Sequence, residues 1–266
     1  MVVMKQLNSS YQDLHRIFRH NITAREIAEP LASFEKEHLA SKVLGFMEDR
    51  DFDVVGVRDA GVITGYALRD SLRVQSGGIV GDYSQHIAES QVISESDPLL
   101  DTLDSMKDSR WVFISFLGNP SGIVTRGDLQ KAPMRMWLFG LISLLEMQLL
   151  RRIRAIYPNE KWENYLDEKR FEAAKKIFTV RQKGNDSVDL AECLQIGDKK
   201  EIFRKSESLF PTVGFKSKSE WKGFMRKVED LRDILAHSNG IPSESWPENA
   251  SLVKSIENCL VGLEKG

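Results

Sequence analysis

Hydrophobic positions along the chain change their spacing once, near residue 131. Before it, short β-branched runs alternate with Gly, Asp and Asn turns, which is the pattern of strands. After it, apolar residues recur every three or four positions over long stretches, which is the pattern of helices. The first twenty residues are mixed and polar and predict a short helical lead-in.

In the strand-bearing half a single pattern occurs twice. The first copy opens with Ile22-Thr23-Ala24-Arg25-Glu26-Ile27 and continues into a helix near Ala40–Glu48. It then runs through a strand at Asp53–Val57, a turn at Asp59-Ala60-Gly61, a second strand at Val62–Ala67, and a helix start at Leu68-Arg69-Asp70-Ser71-Leu72. The second copy opens with Gln91-Val92-Ile93. A helix is predicted at Pro98–Met106, a strand at Trp111–Phe116 and a turn at Gly118-Asn119-Pro120, and the copy ends in Gly122-Ile123-Val124-Thr125-Arg126-Gly127-Asp128-Leu129. This is an internal repeat of the β-α-β-β-α kind. Five helices are predicted beyond it, at Met134–Ile156, Asn164–Val180, Asp189–Phe203, Ser219–Ala236 and Trp246–Leu263, separated by breakers at Pro158, Gly184-Asn185, Gly214 and Gly240-Ile241-Pro242. The expected fold class is therefore α+β. A lead-in covers 1–20, a repeat pair 21–132 and an all-α helical bundle 133–266, with no long linker between the halves.

Composition narrows the class. Hydrophobic residues make up 41% and charged residues 29% of 266, as in soluble globular proteins. The start lacks a basic, apolar secretion signal. Cys193 and Cys259 have no metal-ligand spacing, and together these features predict a reducing, cytoplasmic setting. Met136–Leu150 is nearly all apolar, but it is too short to cross a bilayer and carries Glu146, so a buried or interface helix is expected and no membrane contact. P-loop, dinucleotide-fingerprint, HExxH and CxxC patterns are missing, and no metal site is expected. The net charge of −2 is uneven: residues 131–266 hold 24 Lys/Arg against 20 Asp/Glu, and residues 1–130 hold 13 against 19. A mildly basic C-terminal half is compatible with a polyanion but does not by itself require one.

The ending of the second copy carries candidate chemistry. A strand delivers Thr125 to a helix start, and Asp128 follows one turn later. A carboxylate there can accept both hydroxyls of a ribose, the Thr hydroxyl can bond a sugar or phosphate oxygen, and Arg126 can face phosphates. The same pair can equally cap a helix. Residues 122–129 resemble the Gly-apolar-apolar-Ser/Thr-x-x-Asp-Leu ending of CBS domains, and the likeness extends over roughly residues 20–132. It implies a CBS-domain pair, or Bateman module, binding AMP, ADP or ATP as a regulatory ligand, with backbone around Ile93 and Ser94 framing the base. In the first copy Leu68 stands at the Ser/Thr position and Ser71 at the Asp position, with Asp70 one place early. One nucleotide per pair is expected.

In the helical half, Leu231-Arg232-Asp233-Ile234-Leu235-Ala236-His237-Ser238-Asn239 closes a predicted helix. It resembles the Arg-x4–6-His signature of HEPN domains. The resemblance implies metal-independent RNA cleavage by the RNA's own 2′-hydroxyl at a composite site across a homodimer. His237 would shuttle protons, Arg232 would stabilise the phosphorane, Asp233 would orient either, and Asn239 would touch RNA. A His and a polar run at a helix end are also ordinary C-terminal capping features. Trp137, Trp162, Trp221 and Trp246 are expected to pack rather than stack on bases. Lys216, Lys218, Lys222, Arg226 and Lys227 form either a solvated face or a phosphate-tracking surface. Two functions remain open: an adenine-nucleotide-gated endoribonuclease, and a non-catalytic nucleotide-responsive regulatory or dimerisation protein.

Overall fold

The structure is a computed structural model that describes residues 10–74, 77–184, 188–237 and 239–265. Residues 1–9 of the expected lead-in, Asn185 of a predicted breaker and Ser238 lie outside the described residues. The chain forms two compact units. One runs from Ile17 to Met134, and the other from Arg135 onward together with the chain up to Arg16. The first is α+β and the second helical.

The α+β unit holds two four-stranded sheets. Its strands are β1 (Glu29–Pro30), β2 (Ser33–Glu35), β3 (Val54–Asp59), β4 (Val62–Leu68), β5 (Gln85–His86), β6 (Val92–Ser94), β7 (Trp111–Phe116) and β8 (Asn119–Thr125). The sheet orders are β2-β3-β4-β5 and β1-β8-β7-β6. The two sheets correspond strand for strand. β2 pairs parallel with β3 as β6 does with β7, and both hairpins shift register at one place, between Val57 and Arg58 and between Ile114 and Ser115. Each sheet takes its last strand from the chain just upstream of the other copy: β1 pairs with β8, and β5 with β4. Thr23 bridges Pro98 in the same manner that Ile79 bridges Leu39.

Gly65 makes room for the exchanged strand β5, and Gly122 makes room within its own hairpin. Gly65 lies against β5 and Gly122 against β1. A Cβ at Gly65 would come 2.6 Å from the Gln85 carbonyl oxygen, and one at Gly122 would come 2.6 Å from the Phe116 ring. The small residue in each repeat ending is thus required by its close neighbours. The two faces meet over Leu31, Val54, Tyr66, Ile87, Phe113 and Ile123. A second cluster, including Val43, Met47, Val55, Val57 and Leu72, seats helix α2 (Ala40–Asp49) on its sheet.

The structure departs from the sequence pattern in three places here. The strand equivalent to Val92–Ser94 is Ser33–Glu35, whereas 22–27 holds a short 3-10 turn at Ala24–Glu26, with the Ala24 and Arg25 amides donating to the Asp97 and Glu95 carbonyls instead of to a strand. The second hairpin turns at Leu117-Gly118, both at positive φ, and Asn119 and Pro120 belong to β8. Asp128 opens only a 3-10 turn, Asp128–Gln130, rather than a full α-helix.

The remaining helices are α1 (Tyr11–Asn21), α3 (Arg69–Val74), α4 (Leu99–Ser105), α5 (Ala132–Ile156), α6 (Glu168–Lys183), α7 (Ile196–Lys205), α8 (Lys218–Ala236) and α9 (Trp246–Lys265). The long segment expected at Asp189–Phe203 is divided, with a 3-10 turn at Leu190–Cys193 before α7. Gln195 caps α7, and its amide donates to Asp198 Oδ2 at 2.9 Å. On α5, Trp137, Leu138, Leu141, Leu145, Leu149 and Ile153 are buried at three- and four-residue spacing, whereas Met136, Phe139 and Met147 are exposed. Trp162, Trp221 and Trp246 are also buried. Among the described residues no helix is long and apolar enough to cross a membrane.

Candidate functional site

The second repeat ending forms a tight bracket. Thr125 is the last residue of β8, and its amide and hydroxyl both donate to Asp128 Oδ2, each at 2.8 Å. The turn after the strand brings the carboxylate back over the strand end, where it is buried. The other oxygen, Oδ1, lies 3.0 Å from Lys131 Nζ. That ammonium also donates to the Ile27 carbonyl at 2.7 Å and pairs with Glu29. Burial pulls the Lys131 pKa down, but bonding to Glu29 and Asp128 outweighs it and holds the group above its usual value. Arg126 donates through Nε to the Ser109 carbonyl at 3.3 Å.

Ile93 and Ser94 lie elsewhere on the same sheet. They pair with Ile114 and Ser115, whereas Thr125 pairs with Trp111. At about 3.3 Å per residue, Ser115 stands roughly 13 Å along β7 from the level of Thr125. Ser94 lines an open cleft of about 540 Å³ with Thr23, Arg25, Glu95, Ser115 and Leu117, and Thr125 and Asp128 are not part of its wall. Within it Arg25 pairs with Glu95 at 3.2 Å. The five expected nucleotide residues therefore fall into two groups at the two ends of the hairpin.

The first repeat ending lacks the bracket. Leu68 is packed against the apolar cluster between the sheets, and Asp70 is exposed, 3.7 Å from Arg73. Arg69, the counterpart of Arg126, is held by Asp51 at 2.6 Å and by Asp53.

In the helical unit α8 presents Trp221, Phe224, Met225, Val228, Leu231 and Leu235 to the core. Its start is capped by the Ser217 hydroxyl, which accepts from the Glu220 amide at 3.1 Å. Its end is pinned from α5: Arg135 donates to the carbonyls of Asn239 at 2.9 Å and Leu235 at 3.1 Å. Sequence reasoning overlooked Arg135, because a lone Arg before an apolar run carries no local signal. His237 is the exposed C-cap, with its amide bonded to the Asp233 carbonyl at 3.1 Å. Arg232 is half-exposed and reaches Glu146 Oε1 at 3.5 Å and Asp233 Oδ1 at 3.1 Å. Asp233 thus meets Arg232 through its carboxylate and His237 only through backbone. Arg232 lies within α8 and His237 just past its end. Neither lines the nearby groove of about 230 Å³ between α8 and α9. Lys216, Lys218, Lys222, Arg226 and Lys227 lie on α8 and the segment before it, and all five are exposed.

Arg232 shares Glu146 with a second cation, and two further ion pairs lie in the same unit. Glu146 also accepts from the buried Lys199 at 3.1 Å. Lys200 reaches both oxygens of Glu229 at 2.9 Å, and Arg170 reaches the buried Asp198 at 2.8 Å. Among the described residues no cluster of His, Cys, Asp and Glu is arranged to hold a metal ion.

No protein-family model matches the sequence, and no curated protein matches it. Several solved structures are similar to it. One is the CBS domain of a bacterial CNNM/CorC family Mg2+ transporter, at 17% identity, covering 46% of this chain and 81% of that one, with a TM-score of 0.37. Another is the CBS-pair protein CBSX2 from Arabidopsis thaliana, at 18% identity, covering 43% and 95%, with a TM-score of 0.38. A third is the CBS domain of a CBS domain containing membrane protein from Sphaerobacter thermophilus, at 18% identity, covering 44% and 91%, with a TM-score of 0.37.

Proposed function

We propose that the α+β unit is a CBS-type pair that takes one adenine nucleotide at its second repeat ending, and that the chain is a nucleotide-responsive regulatory protein. The observation that carries this reading is the Thr125–Asp128 bracket. It fixes a buried carboxylate at a strand end whose other oxygen, shared with Lys131, can accept from a ribose hydroxyl. A fixed acceptor loses little entropy on binding, so its hydrogen bonds add to affinity. The missing bracket at Leu68 and Ser71 supports one ligand per pair. AMP, ADP and ATP differ beyond the ribose, and Arg126 is the nearest candidate for their phosphates. Ser94 and Ile93 belong to the other end of the sheet, so this reading does not use them for the base. Thermal unfolding with each nucleotide tests the reading. A stabilisation that saturates with ligand in the parent and is lost in Thr125→Ala supports it; no shift with any adenine nucleotide refutes it.

A second reading, the metal-independent endoribonuclease, is favoured by the exposed His237 at a helix end whose Leu235 carbonyl Arg135 bonds, with a half-exposed Arg232 in the same helix. The HEPN resemblance implies a composite site across two chains, which makes a homodimer integral to this reading. RNA incubated with parent, Arg232→Ala and His237→Ala proteins in EDTA decides it. Cyclic-phosphate products from the parent alone support cleavage, and an inert parent leaves the regulator.

A further inference from the structure

The Asp128 carboxylate can be accounted for acceptor by acceptor. Two oxygens offer about four lone-pair sites. Both sites on Oδ2 are taken by the Thr125 amide and hydroxyl. One site on Oδ1 is taken by Lys131, which leaves one. Lys131 in turn spends its three N–H donors on Asp128, Glu29 and the Ile27 carbonyl. Its ammonium is thereby a clip joining the turn after β8 to the segment that leads into β1, one residue before α5 begins.

A single hydroxyl donated to Oδ1 can coexist with this clip. A cis-diol that donates twice cannot, because the second donor needs the site that Lys131 holds. We propose that Lys131 is a built-in competitor of the ribose: a ribonucleotide binds Asp128 with both hydroxyls only by displacing the Lys131 ammonium, so the clip opens with a ribonucleotide and stays shut with a 2′-deoxynucleotide. This rests on the reading that the second repeat takes an adenine nucleotide. It adds a sensing step to that site: release of Lys131 frees Glu29 and the Ile27 carbonyl and loosens the residue that precedes α5. The protein then reports the sugar as well as the base, since only a diol breaks the clip.

The test is calorimetric titration of the full chain with AMP and with 2′-deoxy-AMP, in the parent, Lys131→Met and Lys131→Gln. Loss of a positive charge near the phosphate changes both affinities alike and cancels in their ratio. The expected result is that the preference for AMP over 2′-deoxy-AMP rises about fivefold or more in both variants, because the competent carboxylate no longer has to be uncovered. An unchanged or smaller preference overturns the proposal while leaving the nucleotide site standing. A parent that binds neither nucleotide, even where the variants bind AMP, refutes the nucleotide reading and overturns the proposal with it. Binding by none of the three overturns it together with the nucleotide reading.

Discussion

Lys199 and Glu146 form an ion pair at 3.1 Å in which the lysine side chain keeps only 7% of its exposure and the carboxylate 24%. The two partners are not equivalent. Removing Glu146 strands a buried ammonium, whereas removing Lys199 leaves Glu146 still facing Arg232. Glu146→Leu is therefore expected to destabilise the protein by about 3–5 kcal/mol, and Lys199→Met by no more than about 1 kcal/mol. Urea unfolding of both variants checks this; equal losses would show that the ammonium does not depend on Glu146 in this way.

Arg135 provides a second stability test. Its guanidinium satisfies carbonyls at the end of α8 that a helix otherwise leaves open. Arg135→Met keeps the aliphatic stem and removes the donors, with an expected loss of about 1–3 kcal/mol. Faster amide exchange is expected at His237 and Asn239, whose amides close the same turn. Unaltered exchange there would mean that the turn holds without the arginine.

The cysteines give a pH prediction. Both are buried, and burial pushes the Cys259 thiol up to about 12 from 9.0. A thiol that keeps its proton in the folded state but loses it when unfolded favours unfolding in alkali. Its contribution is complete below pH 9 and is lost as the pH rises from 9 toward 12. Ellman's reagent at about pH 8 is expected to leave Cys259 untouched until denaturant is added, and rapid native labelling would contradict its burial.

Much of this architecture was legible in the residues. Val62–Leu68 and Trp111–Phe116 announce themselves because β-branched and aromatic runs are bounded by tight turns. Trp246–Lys265 and Lys218–Ala236 are legible because their apolar positions follow the helical period. The exchanged strands were not. Glu29–Pro30 and Gln85–His86 are two residues long and carry no alternating apolar pattern, and the approach of Gln85 also needs Gly65 on the neighbouring strand. The opening of the first copy was misplaced for a related reason: Ser33-Phe34-Glu35 is too short and polar to read as a strand, although Gly56 and Val57 pair with it. In the candidate site, Thr125 and Asp128 come together because only three positions separate them in sequence. Lys131, Glu29 and Arg135 were invisible, since each acts on groups far away in the chain or on a backbone carbonyl. The distance of Ser94 from Thr125 follows from strand direction, which no local pattern encodes.

The central claim is that Asp128 anchors an adenine nucleotide in the second repeat. Calorimetric titration of AMP and ATP into the parent and into Asp128→Asn tests it most directly. The expected result is saturable binding of one nucleotide per chain in the parent, weakened about tenfold or more in the variant, the equivalent of roughly 1.4 kcal/mol, with unchanged circular dichroism. Equal affinity in the two proteins, or two nucleotides per chain, would contradict it.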